Sequence, residues 1–310
     1  MESVFVQKIF LLTEEILANK RDLAEIYKEL EVHLARARRL KMQLYEVEAL
    51  NTLGIYYLFD NKVELALNHF QMAWAIAQHM DNTDVKLKLI NNLSETNLLQ
   101  LWRVDDAYTT LMPAIELIRK EKIETLVTLY VFSNSIRAII LRGEYTAADT
   151  LFEEAWQIAS RVEMLGYSKI EYAQVIIDLH GEKILIDIAK SQYELAKDRL
   201  GLLRPLLNMY KRQDFEELYG MMTAIHKLMS ENNEAGLDGF MKSLEQGEVV
   251  LNIPNNLNMA IFMKHNNQPD WAKRLAQRVL DKAKAEENLP SKLVETAQQI
   301  LNPSLAKDTQ

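Results

Sequence analysis

Apolar residues recur at helical spacing along almost the whole chain, and one arrangement of them returns at a regular interval. Phe70 to Ala77 reads FQMAWAIA, and Phe152 to Ala159, 82 residues on, reads FEEAWQIA. Midway between them, Leu111 to Ile118 reads LMPAIELI and keeps the order of side-chain sizes. Residues at i, i+4 and i+7 share one helical face. That face carries Ala66, Phe70 and Ala73, then Ala107, Leu111 and Ala114, then Ala148, Phe152 and Ala155, then Ala196, Leu200 and Leu203. Weaker copies are Leu23, Tyr27 and Leu30 before these, and Leu237, Met241 and Leu244, then Ala272, Ala276 and Val279, after them. Successive triads start 43, 41, 41, 48, 41 and 35 residues apart. One helical pair cannot bury its apolar face without neighbours, so the interval predicts an all-α solenoid of stacked antiparallel pairs.

Short polar breaks at Asp60 to Lys62, Asn82 to Asp84, Asp187 to Gln192, Glu231 to Glu234 and Asn266 to Asp270 separate the periodic segments. Ahead of the first triad, Val4, Ile9, Leu12, Ile16 and Leu17 predict a core-facing helix. Ser291 opens a last amphipathic helix carrying Leu293, Ala297, Ile300 and Leu301, expected to cap the stack. Pro113 lacks an amide donor and should kink or interrupt its helix. The 48-residue step calls for a long helix or loop between Gly166 and Ala189. Nothing resembles a linker between domains, so a single domain over 1–302 is expected, followed by a flexible tail over 303–310.

The segment LNTLGIYYLFDNKVELALNHFQMA, from Leu50 to Ala73, resembles the tetratricopeptide repeat. Leu53, Gly54, Tyr57, Ala66, Phe70 and Ala73 stand at signature places, and Leu50 stands where that family prefers Trp. RGEYTAADTLFEEAWQIA, from Arg142, is a second match. Other copies are degenerate, and the interval exceeds the usual period of about 34 residues. The longer interval resembles the arrays of bacterial signalling and peptide-sensing regulators. That resemblance implies a right-handed superhelix whose concave surface, lined by each first helix, binds a protein or peptide segment. Such regulators usually carry a helix-turn-helix before the array, and Met1 to Leu40 does not read as one. Each signature residue also has a packing reason: Gly54 and Ala66 are small where two helices cross, and Tyr57 and Phe70 fill the space beside them. Trp74 and Trp156, next to core alanines, are expected to wedge between repeats.

Composition narrows the function. The chain's 36 basic and 44 acidic residues give a formal charge of −8, against the basic surface that nucleic acid requires. RARR, Arg36 to Arg39, reads as a solvated helix face. With no cysteine there is no disulfide or thiol nucleophile, and with no signal-peptide or membrane-span pattern at the N-terminus a cytoplasmic protein is expected. Phosphate-loop, G-x-S-x-G and H-E-x-x-H signatures are all missing, so neither an enzyme nor a cofactor or metal is expected. His180, in DLHGEK, falls on the packed face and reads as structural.

The candidate chemistry is recognition. At about 100° per residue, the helix from Tyr130 to Leu141 turns Phe132, Ile136, Ile139 and Ile140 inward, leaving Tyr130, Ser133, Arg137 and Leu141 on another side. Matching positions are Glu48, Asn51, Ile55, Leu58 and Phe59 in one repeat and Lys88, Asn91, Glu95, Leu98 and Leu99 in the next, with Asp178 and Glu182 continuing the row. Asn51 and Asn91 offer donors and acceptors to an extended peptide backbone, Ile55 and Phe59 an apolar floor; Ser133 lies in the same groove, and Arg137 suits a peptide carboxylate or acidic side chain. The alternative is a scaffold or homo-oligomer that uses the convex face or the terminal repeats.

Overall fold

A computed structural model describes residues 2–163, 166, 169–210, 213–231, 234–245, 253–284 and 289–304. Among them lie fifteen α-helices and no strand. Seven helical pairs follow in order: α1 (Glu2–Leu17) with α2 (Leu23–Leu40), α3 (Gln43–Phe59) with α4 (Val63–Ala77), and α5 (Thr83–Glu95) with α6 (Val104–Glu121). Then come α7 (Leu126–Leu141) with α8 (Tyr145–Val162), α9 (Lys169–Ala189) with α10 (Tyr193–Tyr210), α11 (Gln213–Glu231) with α12 (Glu234–Glu245), and α13 (Ile253–His265) with α14 (Pro269–Ala283). The last helix, α15 (Ser291–Leu301), packs on α14 and α13 and buries Leu293, Ala297 and Ile300, closing that end of the stack. A π-helical turn, Thr96–Gln100, extends α5.

The repeat is visible in the turns. Asn19, Asn61, Trp102, Gly143, Ser191 and Asn267, each between the helices of one pair, have φ between 47° and 78°. At five of these turns the same amide bond reaches back five residues: Lys20 to Glu15, Lys62 to Tyr57, Glu144 to Ile139, Gln192 to Asp187 and Gln268 to Met263. This is the left-handed C-terminal cap that satisfies carbonyls orphaned at a helix end, and it folds the second helix back on the first. Sequence and turn geometry thus repeat together.

The second-helix triads are core. Ala66, Phe70, Ala73, Ala107, Leu111, Ala114, Ala148, Phe152, Ala155, Ala196, Leu200, Leu203, Ala272, Ala276 and Val279 are all buried, as are Leu30, Leu237 and Met241. Leu23 and Tyr27 are half-buried, and the Leu244 side chain lies outside the described residues. A Cβ on Gly54 would sit 2.4 Å from the Phe70 ring, which explains the glycine at this crossing. Trp74 packs against all three apolar clusters of the molecule, so it does wedge between repeats; Trp156 stacks on Phe152 and stays 37% exposed.

α6 runs uninterrupted through Pro113, so the proline does not end it; Pro113 and Thr109 lie on the exposed face, where water can serve the Thr109 carbonyl that lacks an amide donor. Asp187 belongs to α9 and not to a polar break: it is fully buried, held by Lys183 at 2.5 Å and Arg199 at 3.3 Å. The long step is absorbed by α9, 21 residues in length. The expected flexible tail falls largely on 305–310, outside the described residues. Among the described residues no helix is long and apolar enough to cross a membrane.

One contact departs from nearest-neighbour stacking. α13 returns to touch α7, three pairs earlier. Asn266 Nδ2 donates to the Tyr145 hydroxyl at 3.0 Å, 121 residues away in sequence, and the Tyr145 and Phe262 rings meet edge to face at 5.9 Å. The array therefore curls round on itself.

Candidate functional site

Successive first helices are joined by a row of polar side chains. Thr13 and Thr52 share a hydrogen bond of 2.7 Å between α1 and α3. Asn92 Nδ2 donates to Asn51 Oδ1 at 2.7 Å between α5 and α3, and Asn134 Nδ2 donates to Asn91 Oδ1 at 3.0 Å between α7 and α5. Ser133 Oγ donates to Glu182 Oε1 at 3.0 Å between α7 and α9. α3, α5 and α7 each contribute two consecutive residues, which point about 100° apart, so one bonds to the preceding pair and the other to the following one. Lys88 adds an ion pair to Glu48 at 2.5 Å across the same seam as Asn92 and Asn51. From pair 1 to pair 5 the row satisfies itself.

At Glu182 the row runs out. Its Oε1 accepts from Ser133 and from Arg137 Nη2 at 3.1 Å, whereas its buried Oε2 has no partner. Arg137 also reaches Asp178 at 3.5 Å. These residues open on a cavity of about 420 Å³ at the centre of the curl, lined from α7, α9, α11, α13 and the end of α5. Glu95, Leu99 and Leu141 contribute to its wall, and Met221, Met222, Met259, Ile225 and Phe262 make much of the apolar remainder. Asn258 Oδ1 on α13 is a second buried acceptor on this wall without a partner. Unpaired buried acceptors cost free energy, and two on one cavity call for donors from outside the protein.

The electrostatics point the same way. Three carboxylates, Glu95, Asp178 and Glu182, share the cavity with one guanidinium, Arg137. Burial pushes the Glu182 carboxyl up to about 8; Asp178 pushes in the same direction, and Arg137 and Ser133 oppose. Glu95, open to the groove yet surrounded by the curl, is raised as well, chiefly by loss of solvent, with Arg137 countering. A positive group entering here would meet carboxyls ready to ionise.

The residues singled out in the sequence distribute over two places. Arg137 lies on the cavity wall and Ser133 holds Glu182 just behind it, buried itself. Asn51 is buried and bonded to Asn92; Asn91 is half-buried and bonded to Asn134. Ile55 is half-buried between two apolar clusters and Phe59 is 48% exposed at the end of α3, neither on the cavity wall. Of the wider row, Glu95, Leu99, Leu141, Asp178 and Glu182 join Arg137 at the cavity. The α11 and α13 residues were missed: their copies are the most degenerate, and nothing local signals that α13 curls back. His180 is buried against Trp156, and desolvation, helped by Arg199, pulls its imidazole down to about 4. It is a core residue.

No protein-family model matches the chain, and no curated protein matches it. Among solved structures, it is similar to the crystal structure of a Rap protein complexed with competence and sporulation factor, with a TM-score of 0.55 at 12% sequence identity, over 99% of this chain and 98% of that one. Similarity at that identity is similarity of fold, and it places the chain among all-α arrays of stacked, tetratricopeptide-like helical pairs.

Proposed function

We propose that this chain is a non-catalytic receptor for an extended peptide or protein segment, acting in bacterial signalling or regulation in the cytoplasm. The ligand lies in the concave groove and its anchor is the cavity at Arg137 and Glu182. The observation that carries this reading is the pair of buried acceptors without a partner, Glu182 Oε2 and Asn258 Oδ1, both on residues that line this one cavity. A peptide supplies what they lack: backbone N–H groups, and a Lys, Arg or N-terminal ammonium to offset the acidic excess. Arg137 fixes Glu182 and is within reach of a ligand carbonyl. Asn91 and the exposed ring of Phe59, with Asn51 and Ile55 behind them, extend the groove toward pair 2. The similar Rap structure, a complex with competence and sporulation factor, supports a receptor on this kind of array.

A positional-scanning library of synthetic pentapeptides tests this reading by thermal shift. Mixtures with Lys or Arg fixed at one position should raise the melting midpoint by about 4 °C at saturation, and Asp or Glu at that position should not. No stabilising mixture, or a preference for acidic ones, would overturn it. The scaffold reading rests on one observation, four exposed apolar residues of α1: Val4, Phe10, Leu11 and Leu17, each more than 50% accessible. Light scattering decides it: a concentration-dependent dimer abolished by Phe10→Glu would favour self-assembly through that face.

A further inference from the structure

We infer that the contact between α13 and the α7–α8 turn is a latch, and that the central cavity is entered by releasing it. The inference rests on the reading of the cavity as a binding site. Around the cavity, α7 packs on α9 and α9 on α11, as part of one continuous apolar core. Pair 7 is attached differently. Among the described residues no broad helical seam joins α13 or α14 to α11 or α12, while α13 reaches across to α7. Between pairs 6 and 7 Arg274 meets Asp238 at 3.0 Å, and pair 7 shares the apolar core; its far side is held to pair 4.

Residues at helix ends contribute to that hold. Asn266 donates to Tyr145, Tyr145 meets Phe262 edge to face, and His265 lies over Gly143. Gly143 has φ 78°, and a Cβ there would sit 2.9 Å from the His265 ring, so the glycine serves both the turn and the close approach. A few peripheral contacts open more readily than a packed helical seam, which must expose apolar core. Phe262 belongs to both the latch and the cavity wall. An occupant that displaces Phe262 thereby acts on the latch, and a closed latch retains an occupant.

The chain has no cysteine, so one introduced thiol reports access without a ligand. Leu185→Cys places that thiol on the cavity wall. Its alkylation by a bulky fluorescein maleimide is compared with the same variant carrying Asn266→Ala or Tyr145→Phe, each checked by thermal melting. Removing the latch hydrogen bond should speed bulky labelling about 2- to 12-fold. Small iodoacetamide should respond less, and an exposed control thiol, Gln157→Cys, not at all. Equal bulky labelling with the latch intact and weakened, whether fast or slow, would overturn the inference and place the entrance elsewhere. Because no peptide is used, failure here is distinguishable from failure to find a peptide ligand.

Discussion

The first helices of pairs 2–4 and those of pairs 5–7 line the same concavity with different chemistry. In pairs 2–4 the inward polar residues bond to each other from repeat to repeat: Asn51 with Asn92, Asn91 with Asn134, Glu48 with Lys88. In pairs 5–7 the inward residues are methionines, carboxyls and Asn258, and two buried acceptors remain without partners. The same repeat can therefore spend its polar residues on holding neighbours together or leave them available to a ligand. Methionine, unbranched and adaptable, suits the second use.

The contrast makes opposite mutational predictions for two asparagines. Asn51→Leu removes the acceptor of Asn92 and strands a half-buried amide, so it should cost about 1–3 kcal/mol in denaturant melts. A cost below about 0.3 kcal/mol would mean that the polar row does not hold the pairs together.

Next in size is the pH dependence. The Glu182 carboxyl is raised to about 8 from its ordinary value near 4.5, so between those values the folded state holds a proton that the unfolded state has lost. Its contribution to stability is present at the acid end and falls as pH rises, by up to about 1.4 kcal/mol per pH unit. His180 is lowered to about 4, and His33 and His265 are also lowered, so below about 6.5 they act in the opposite sense. The net fall should therefore show between about pH 6.5 and 8, and Glu182→Gln should flatten it. An unchanged slope in that variant would remove Glu182 as its source.

Smallest is Asn258→Ala. It deletes an unsatisfied buried acceptor, so the stability change should stay within about 0.5 kcal/mol or favour the variant. A loss above about 1.5 kcal/mol would show that Asn258 is as structural as Asn51, and the comparison between the two halves would fail.

The second helices were the most legible part of the molecule. Small residues at i and i+7 around a large one at i+4 report a close helix crossing whatever the surroundings, as Gly54 against Phe70 confirms from the first-helix side. The concave row was legible through α7 because one helix's geometry decides which side chains turn away from its partner, and Arg137, Asp178 and Glu182 emerged from it. The asparagines needed more. Asn51 and Asn91 are equivalent in the repeat, but a bond joins residues one step out of equivalence, Asn51 to Asn92. Whether an inward amide is free depends on the next repeat's rotation, which sequence does not display. Closure of the cavity by α13 depends on curvature accumulated over three pairs, and no local pattern encodes it.

The most direct test of the central claim, that a ligand binds through Glu182 and not through the asparagine row, is calorimetric titration of the best pentapeptide from the scan into three proteins. Glu182→Gln loses a charged acceptor and should weaken binding about 10- to 150-fold relative to the unaltered chain. Asn51→Ala, if folded at the titration temperature, should change affinity less than about threefold. Loss of binding in Asn51→Ala with full affinity in Glu182→Gln would contradict the account and move the site to the groove of pairs 2–4.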